Sequence, residues 1–191
     1  MTLFKDKYRI ESTRLDGFDY SQIGSYFVTI VTHGRECLFG DVADGKMVWN
    51  DVGKIVEQCW KEIPDHFPYA SLDEFIVMPD HVHGIIVLGI DRDDVGFRRD
   101  TACRVSTTKT TTHQTQTVRF GRPTKQSIPT IVRSFKSAAT RTINQYRNSP
   151  GQSVWQSRFY DHIVRNDDEF SRIREYVLYN PQNWKKDISY Q

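Results

Sequence analysis

A chain of 191 residues with 38% hydrophobic and 13% aromatic content suits one domain whose core needs no disulfide support. No apolar run approaches the roughly 18 residues of a membrane span, and Met1-Thr2-Leu3-Phe4-Lys5-Asp6-Lys7 lacks a secretion signal's apolar core. The formal net charge is only +2, yet residues 90–191 carry eighteen Lys/Arg against ten Asp/Glu, which leaves Met1–Gly89 about −6; a basic C-terminal half suits a polyanionic partner.

Residues 1–24 are polar and mixed and predict an irregular segment. Ser25 to Thr32, β-branched and aromatic, predicts a strand. Cys37, Cys59 and Cys103 are scattered with no C-x-x-C pair, so a reduced, cytoplasmic setting is expected. Asp44-Gly45 between Leu38-Phe39-Gly40 and Lys46-Met47-Val48-Trp49 signals a hairpin. Asn50 or Asp51 caps a helix to about Ile63 with Val52, Ile55, Val56, Cys59 and Trp60 on one face, and Pro64 and Pro68 end it. Leu72–Met78 and Val82–Leu88 read as strands joined by Pro79-Asp80, the second apolar on both faces and therefore central.

Composition changes over residues 90–128. Asp, Arg, Thr and Gln dominate there, and a mobile insertion is expected. Pro129 opens a helix in which Ile131, Val132, Phe135, Ala139 and Ile143 recur at helical spacing, and Asn148-Ser149-Pro150-Gly151 stops it. Val154–Val164 reads as extended. Asn166 or Asp167 caps a last helix that Pro181 halts. The order β, ββ, α, ββ, α, β, α predicts a single α+β domain over 1–191, antiparallel strands with helices on one face.

Chemistry concentrates at His81-Val82-His83. In a strand, i and i+2 point the same way, so both imidazoles can reach one metal ion from one stiff element. Hydrogen-bonded or stacked histidines in a sheet remain the alternative. Amidohydrolase barrels, which also use such a pair, need more than this length and another element order; metallo-β-lactamase-like sites need further His and Asp close downstream, where Gly84-Ile85-Ile86-Val87 follows. On the last helix Tyr176 and Asn180 lie four apart and share a face. Asn180 offers a neutral oxygen to a hard cation, and Tyr176 a hydroxyl that can attack a polarised phosphodiester. The bland alternative makes Tyr176 a core residue and Asn180 a C-cap.

Taken in order, Met78-Pro79-Asp80-His81-Val82-His83-Gly84, Trp155-Gln156-Ser157-Arg158-Phe159-Tyr160-Asp161-His162 and Arg174-Glu175-Tyr176-Val177-Leu178-Tyr179-Asn180-Pro181 form a recognisable set, joined by Arg35-Glu36-Cys37-Leu38-Phe39-Gly40. The chain resembles the IS200-like single-tyrosine HUH transposases, and within them the REP-associated tyrosine transposases. That resemblance implies a ferredoxin-like fold of the HUH endonuclease type, with the nucleophile helix lying across the sheet. It implies single-stranded DNA cleavage and strand transfer on hairpin-forming repeats. His81, His83 and Asn180 would hold Mg²⁺ or Mn²⁺, and Tyr176 would form a 5′-phosphotyrosine intermediate. Arg133, Lys136, Arg141, Arg158 and Arg165 would contact phosphates; Trp155, Phe159 and Tyr160 would stack unpaired bases. The protein would work in the cytoplasm, off the membrane, as a monomer or homodimer.

Three features depart from the family pattern. Asp80 stands where Asn is expected, the 90–128 insertion is long and Thr-rich, and Tyr179 rivals Tyr176 as nucleophile. His162 is conspicuous but stays outside the ligand set. Two other functions stay open on sequence alone: a domesticated hairpin-DNA binding protein without turnover, and a metal-dependent phosphodiesterase that uses water and leaves no adduct.

Overall fold

The computed structural model describes residues 18–89 and 126–187. The 90–128 insertion and the irregular N-terminal segment therefore fall, except for their last few residues, outside the described residues.

Strand β1 (Gly24–Val31) leads through a 3-10 turn into a hairpin of β2 (Gly40–Ala43) and β3 (Lys46–Trp49). Asp44 and Gly45 both have positive φ, 51° and 69°, the primed-turn geometry that fits a two-residue hairpin. Helix α1 (Asp51–Lys61) follows, capped by Asn50, whose side chain accepts from the Gly53 N–H. Pro64 does not simply end it. A further short helix, α2 (Ile63–His66), starts there with Pro64 in its first turn, where a missing N–H is harmless. Strands β4 (Ala70–Val77) and β5 (His81–Leu88) come next, then α3 (Ile128–Tyr146), β6 (Tyr160–Val164), α4 (Asp167–Leu178) and α5 (Asn180–Asp187). Of the extended stretch expected over 154–164, β6 takes only the second half; Trp155 makes an isolated bridge to Thr32.

The main sheet runs β4-β5-β1-β6 and every neighbouring pair is antiparallel. With α1 and α3 as the crossovers this is the split-βαβ arrangement of a ferredoxin-like domain. Alternation along the strands sorts the side chains into two layers. Val28, Ile30, Val82 and Ile86 point one way and meet Val56 and Trp60 of α1 and Ile131, Phe135 and Ala139 of α3 in the larger core. Phe27 and Ile85 point the other way and meet Val177, Phe170 and Ile173 of α4 in a smaller cluster. Helices thus cover both faces, not one, and α4 lies across the second face.

Gly84 is required where α1 crosses β5. A Cβ there would sit 2.3 Å from Trp60 Cζ2, and that fully buried ring is held by Phe75 (centroids 5.9 Å) and Phe135 (5.1 Å). Gly84→Ala is expected to destabilise by about 1–3 kcal/mol through overpacking. A urea midpoint equal to wild type would show that the ring yields freely.

Candidate active site

The two histidines stand where the smaller core ends. Thr29 pairs with His83 and Val31 with His81 across β1 and β5, so both imidazoles share the α4 face with Phe27. Each is buried, and each has Nδ1 already occupied. His81 Nδ1 lies 2.5 Å from Asp80 Oδ1, and His83 Nδ1 lies 2.8 Å from Thr29 Oγ1. A carboxylate can only accept, so Asp80 places the His81 proton on Nδ1 and leaves Nε2 with its lone pair outward. For His83 the Nδ1–H tautomer, donating to Thr29, does the same. Burial, and then the neighbouring His81, hold the His83 imidazole well below its usual pKa, which keeps it neutral and able to ligate.

Asp80 therefore faces a histidine nitrogen. Its backbone carbonyl accepts from the Thr32 N–H at 2.8 Å, and Arg35 Nη1 lies 3.9 Å from Oδ2. Such an orienting carboxylate commonly changes metal affinity 10–100-fold. Asp80→Ala is expected to weaken divalent-cation binding by about that factor, whereas Asp80→Asn keeps an acceptor oxygen and most of the affinity. Calorimetric titration with Mn²⁺ checks both; equal affinity in Asp80→Ala would remove Asp80 from the site.

Helix α4 is tied down at both edges of the sheet. At its start Asn166 accepts from the Glu169 N–H at 2.8 Å, a side-chain cap. The Glu169 carboxylate meets His162 Nε2 and the Arg165 N–H, both at 2.8 Å. These contacts, the backbone one first, hold the Glu169 carboxyl below its usual pKa. His162 thus joins β6 to α4. Toward the other end Arg174 pairs with Asp73 at 2.7 Å and Glu74 at 3.7 Å, at the irregularity in β4 between Leu72 and Phe75. Two turns beyond Glu169, Tyr176 reaches the histidines. Its ring is 47% exposed and lies 5.2 Å, edge-on, from the His83 ring. Its hydroxyl lies 3.3 Å from His83 Nε2. Tyr176, not Tyr179, makes that contact; Tyr179 is the C-cap of α4.

Asn180 is not on the same helix as Tyr176. Helix α4 ends at Leu178 and α5 begins at Asn180, so Pro181 opens a helix where it was expected to halt one. The break turns Asn180 inward to 1% exposure. Trp184, one turn further along α5 and on the same side of it, packs its ring 5.8 Å from His81. Asn180 Oδ1 and Nδ2 and His81 Nε2 are all shut away from solvent without a hydrogen-bond partner. Orphaned buried polar atoms normally cost about 1–3 kcal/mol each, and three of them, on the strand and the helix that the His81–Trp184 ring contact joins, point to a place built for something else. Two imidazole nitrogens and one amide oxygen fit a divalent cation that retains open positions for phosphate and water. Among the described residues no group of three or more His, Cys, Asp and Glu gathers in metal-binding fashion, so a third donor beside the two imidazoles could come only from a group such as the Asn180 amide.

The expected DNA-contact residues separate into groups. Arg133, Arg141, Arg158 and Arg165 are exposed. Lys136 and Arg141 line a groove of about 450 Å³ between α3 and residues 153–157. Lys136 is partly spent: its ammonium donates to Gln156 O at 2.5 Å and Ser157 O at 3.4 Å, and burial lowers its pKa. Trp155 corrects a sequence expectation. It is 5% exposed, wedged between Phe39 (5.2 Å) and Phe135 (5.5 Å), and offers no ring face to a base. Phe159 is partly buried against the same core. Thr29, Arg35 and Trp184 escaped sequence reasoning. Only Trp184, four residues after Asn180, carried a usable signal, since the other two depend on chain pairing far apart in sequence.

No family model matches the chain. A protein of Haemophilus influenzae described as "Uncharacterized protein" is 36% identical over 179 residues, which cover 94% of this chain and 92% of that one. A second Haemophilus influenzae protein, described as "Putative REP-associated tyrosine transposase", is 26% identical over 163 residues, 85% of this chain and 73% of its own. Among solved structures, a REP-associated tyrosine transposase bound to a REP hairpin superposes with a TM-score of 0.55 at 15% identity, covering 91% of this chain and 74% of that chain. It shares the fold.

Proposed function

We propose that this chain is a REP-associated tyrosine transposase, as its 26% identity to a protein so described and its shared fold support, and that it cleaves and rejoins single-stranded DNA beside hairpins through a covalent bond to Tyr176. The observation that carries the reading is the half-exposed Tyr176 hydroxyl 3.3 Å from His83 Nε2, with the His81 ring 4.3 Å from that of His83 and with His81 Nε2 and the Asn180 amide buried without partners. A divalent cation, Mg²⁺ or Mn²⁺, bound by His81, His83 and Asn180 would supply Lewis-acid polarisation of the scissile phosphate.

The rest is the work of the chain. Asp80 holds His81 in the ligating tautomer, and the Thr29 hydroxyl is placed to accept from His83 Nδ1–H in the same tautomer. Phe27, edge-on to Tyr176 at 6.1 Å, fixes the phenol ring, and the ties at Glu169 and Arg174 fix its helix. The Tyr176 oxygen forms a bond to phosphorus and the P–O3′ bond breaks. The phenol proton goes to solvent and the departing 3′ oxygen takes one up. A 5′-phosphotyrosine results, and attack by a second 3′-OH reverses the exchange. One phosphodiester replaces another, so no nucleotide cofactor is needed, in keeping with a sequence that has no G-x-x-x-x-G-K-[ST] loop. Arg141 at the groove mouth and exposed Arg133, Arg158 and Arg165 are suited to DNA phosphates.

The test is incubation with hairpin oligonucleotides carrying unpaired flanks, with Mn²⁺ or Mg²⁺ and with EDTA, followed by denaturing electrophoresis. A metal-dependent, denaturant-resistant adduct supports the proposal. Cleavage without adduct would assign water as nucleophile, and tight binding without cleavage would make the protein a hairpin binder.

A further inference from the structure

We infer that Tyr160 is a base-stacking site for the unpaired nucleotide adjoining the scissile phosphate, an inference that rests on Tyr176 being the nucleophile. Thr29 pairs with His83 on one side and with Tyr160 on the other. Side chains opposite one another share a face, so His83 and Tyr160 stand in one row about 10 Å apart, two strand spacings. Phe27 is the hub between them. Its ring lies 5.3 Å from His83, 6.1 Å from Tyr176 and 6.3 Å from Tyr160.

The row is covered at one end only. His83 is 5% exposed, whereas Tyr160, on the edge strand β6, is 44% exposed. Helix α4 reaches β6 through His162 and Glu169, two residues further along, and the Tyr160 ring is left standing beyond it. Tyr146, another exposed ring, is engaged by Asp51 at 2.9 Å and belongs to the α1–α3 side. Among the described residues Tyr160 is thus the strand-borne aromatic left exposed on the sheet face of the nucleophile, with a second ring behind it to hold it upright. A phosphate at the Tyr176 oxygen leaves its own base, or its neighbour's, to fall across this row. Stacking tolerates every base, so the site grips the strand near the cut without reading its sequence.

The test uses the full chain and a fluorescein-labelled hairpin oligonucleotide with an unpaired flank, next to the same hairpin without one, in EDTA so that no turnover occurs. Tyr160→Val keeps strand propensity and removes the ring; Tyr160→Phe keeps the ring. Tyr160→Val is expected to weaken the flanked hairpin about tenfold or more and to leave the flankless hairpin unchanged, while Tyr160→Phe binds both like wild type. Unchanged affinity of Tyr160→Val for the flanked hairpin, or an equal loss in Tyr160→Phe, would overturn the inference. The adduct assay separates it from the nuclease reading. Wild-type adduct with unaffected Tyr160→Val binding sinks the stacking site alone. A tenfold loss without any adduct sinks the nuclease and leaves a stacking residue on a binding protein.

Discussion

Tyr176→Phe is expected to eliminate the covalent adduct and to lower cleavage by more than about a thousandfold, as removal of a nucleophile does elsewhere. The fold should be indifferent. The ring keeps its contacts with Phe27 and His83, and the lost hydrogen bond is long, at 3.3 Å. The hydroxyl sits on a side chain 47% exposed, where water replaces the missing partner. The melting temperature should therefore stay within about a degree or two of wild type, and hairpin affinity in EDTA should not move. Tyr179→Phe is the internal control: it changes the other exposed tyrosine of this stretch and should leave the adduct intact. An adduct persisting in Tyr176→Phe and lost in Tyr179→Phe would move the nucleophile by three residues and require α4 to be turned from the placement described above.

What sequence reasoning could reach divides along the range of the interactions involved. The Asp44-Gly45 turn, the Asn50 cap and the central position of β5 are written in a few adjacent residues, and the structure has them all. The placing of His81 and His83 on one face follows from the two-residue period of a strand. The failures lie where distant segments meet. Pro181 reads locally as a stop, yet the chain has one residue, Tyr179, in which to break α4 before Asn180 and Pro181 start α5. Trp155 reads as a stacking residue in a basic segment, but its bridge to Thr32 carries it into the core formed by α3 and Phe39. Tyr160 is legible as a stacking residue, but its place in the His83 row and the role of Thr29 depend on the register of β1 with β5 and β6, which local pattern does not encode. Helices on both faces were likewise hidden, because α4 buries only Val177, with Phe170 and Ile173 partly buried, against the sheet, too few to stamp a wide apolar stripe on its sequence.

Asn180→Leu should separate stability from function in opposite directions. The amide is 1% exposed and neither its oxygen nor its nitrogen has a partner. A side chain of similar size without polar atoms removes that penalty, so the metal-free protein should gain about 1–3 kcal/mol, which for a domain of this size is several degrees of melting temperature. A cation that binds only the folded state adds stability as its concentration passes the dissociation constant. Wild type should therefore show a melting temperature that climbs with Mn²⁺, and Asn180→Leu should show a higher starting value with little or no climb. The crossing of those two behaviours is specific. A purely structural asparagine, capping a helix end, would lose stability on replacement and leave any Mn²⁺ response from His81 and His83 in place. That outcome would strike Asn180 from the ligand set and leave the two histidines without the third donor that the chemistry at Tyr176 requires.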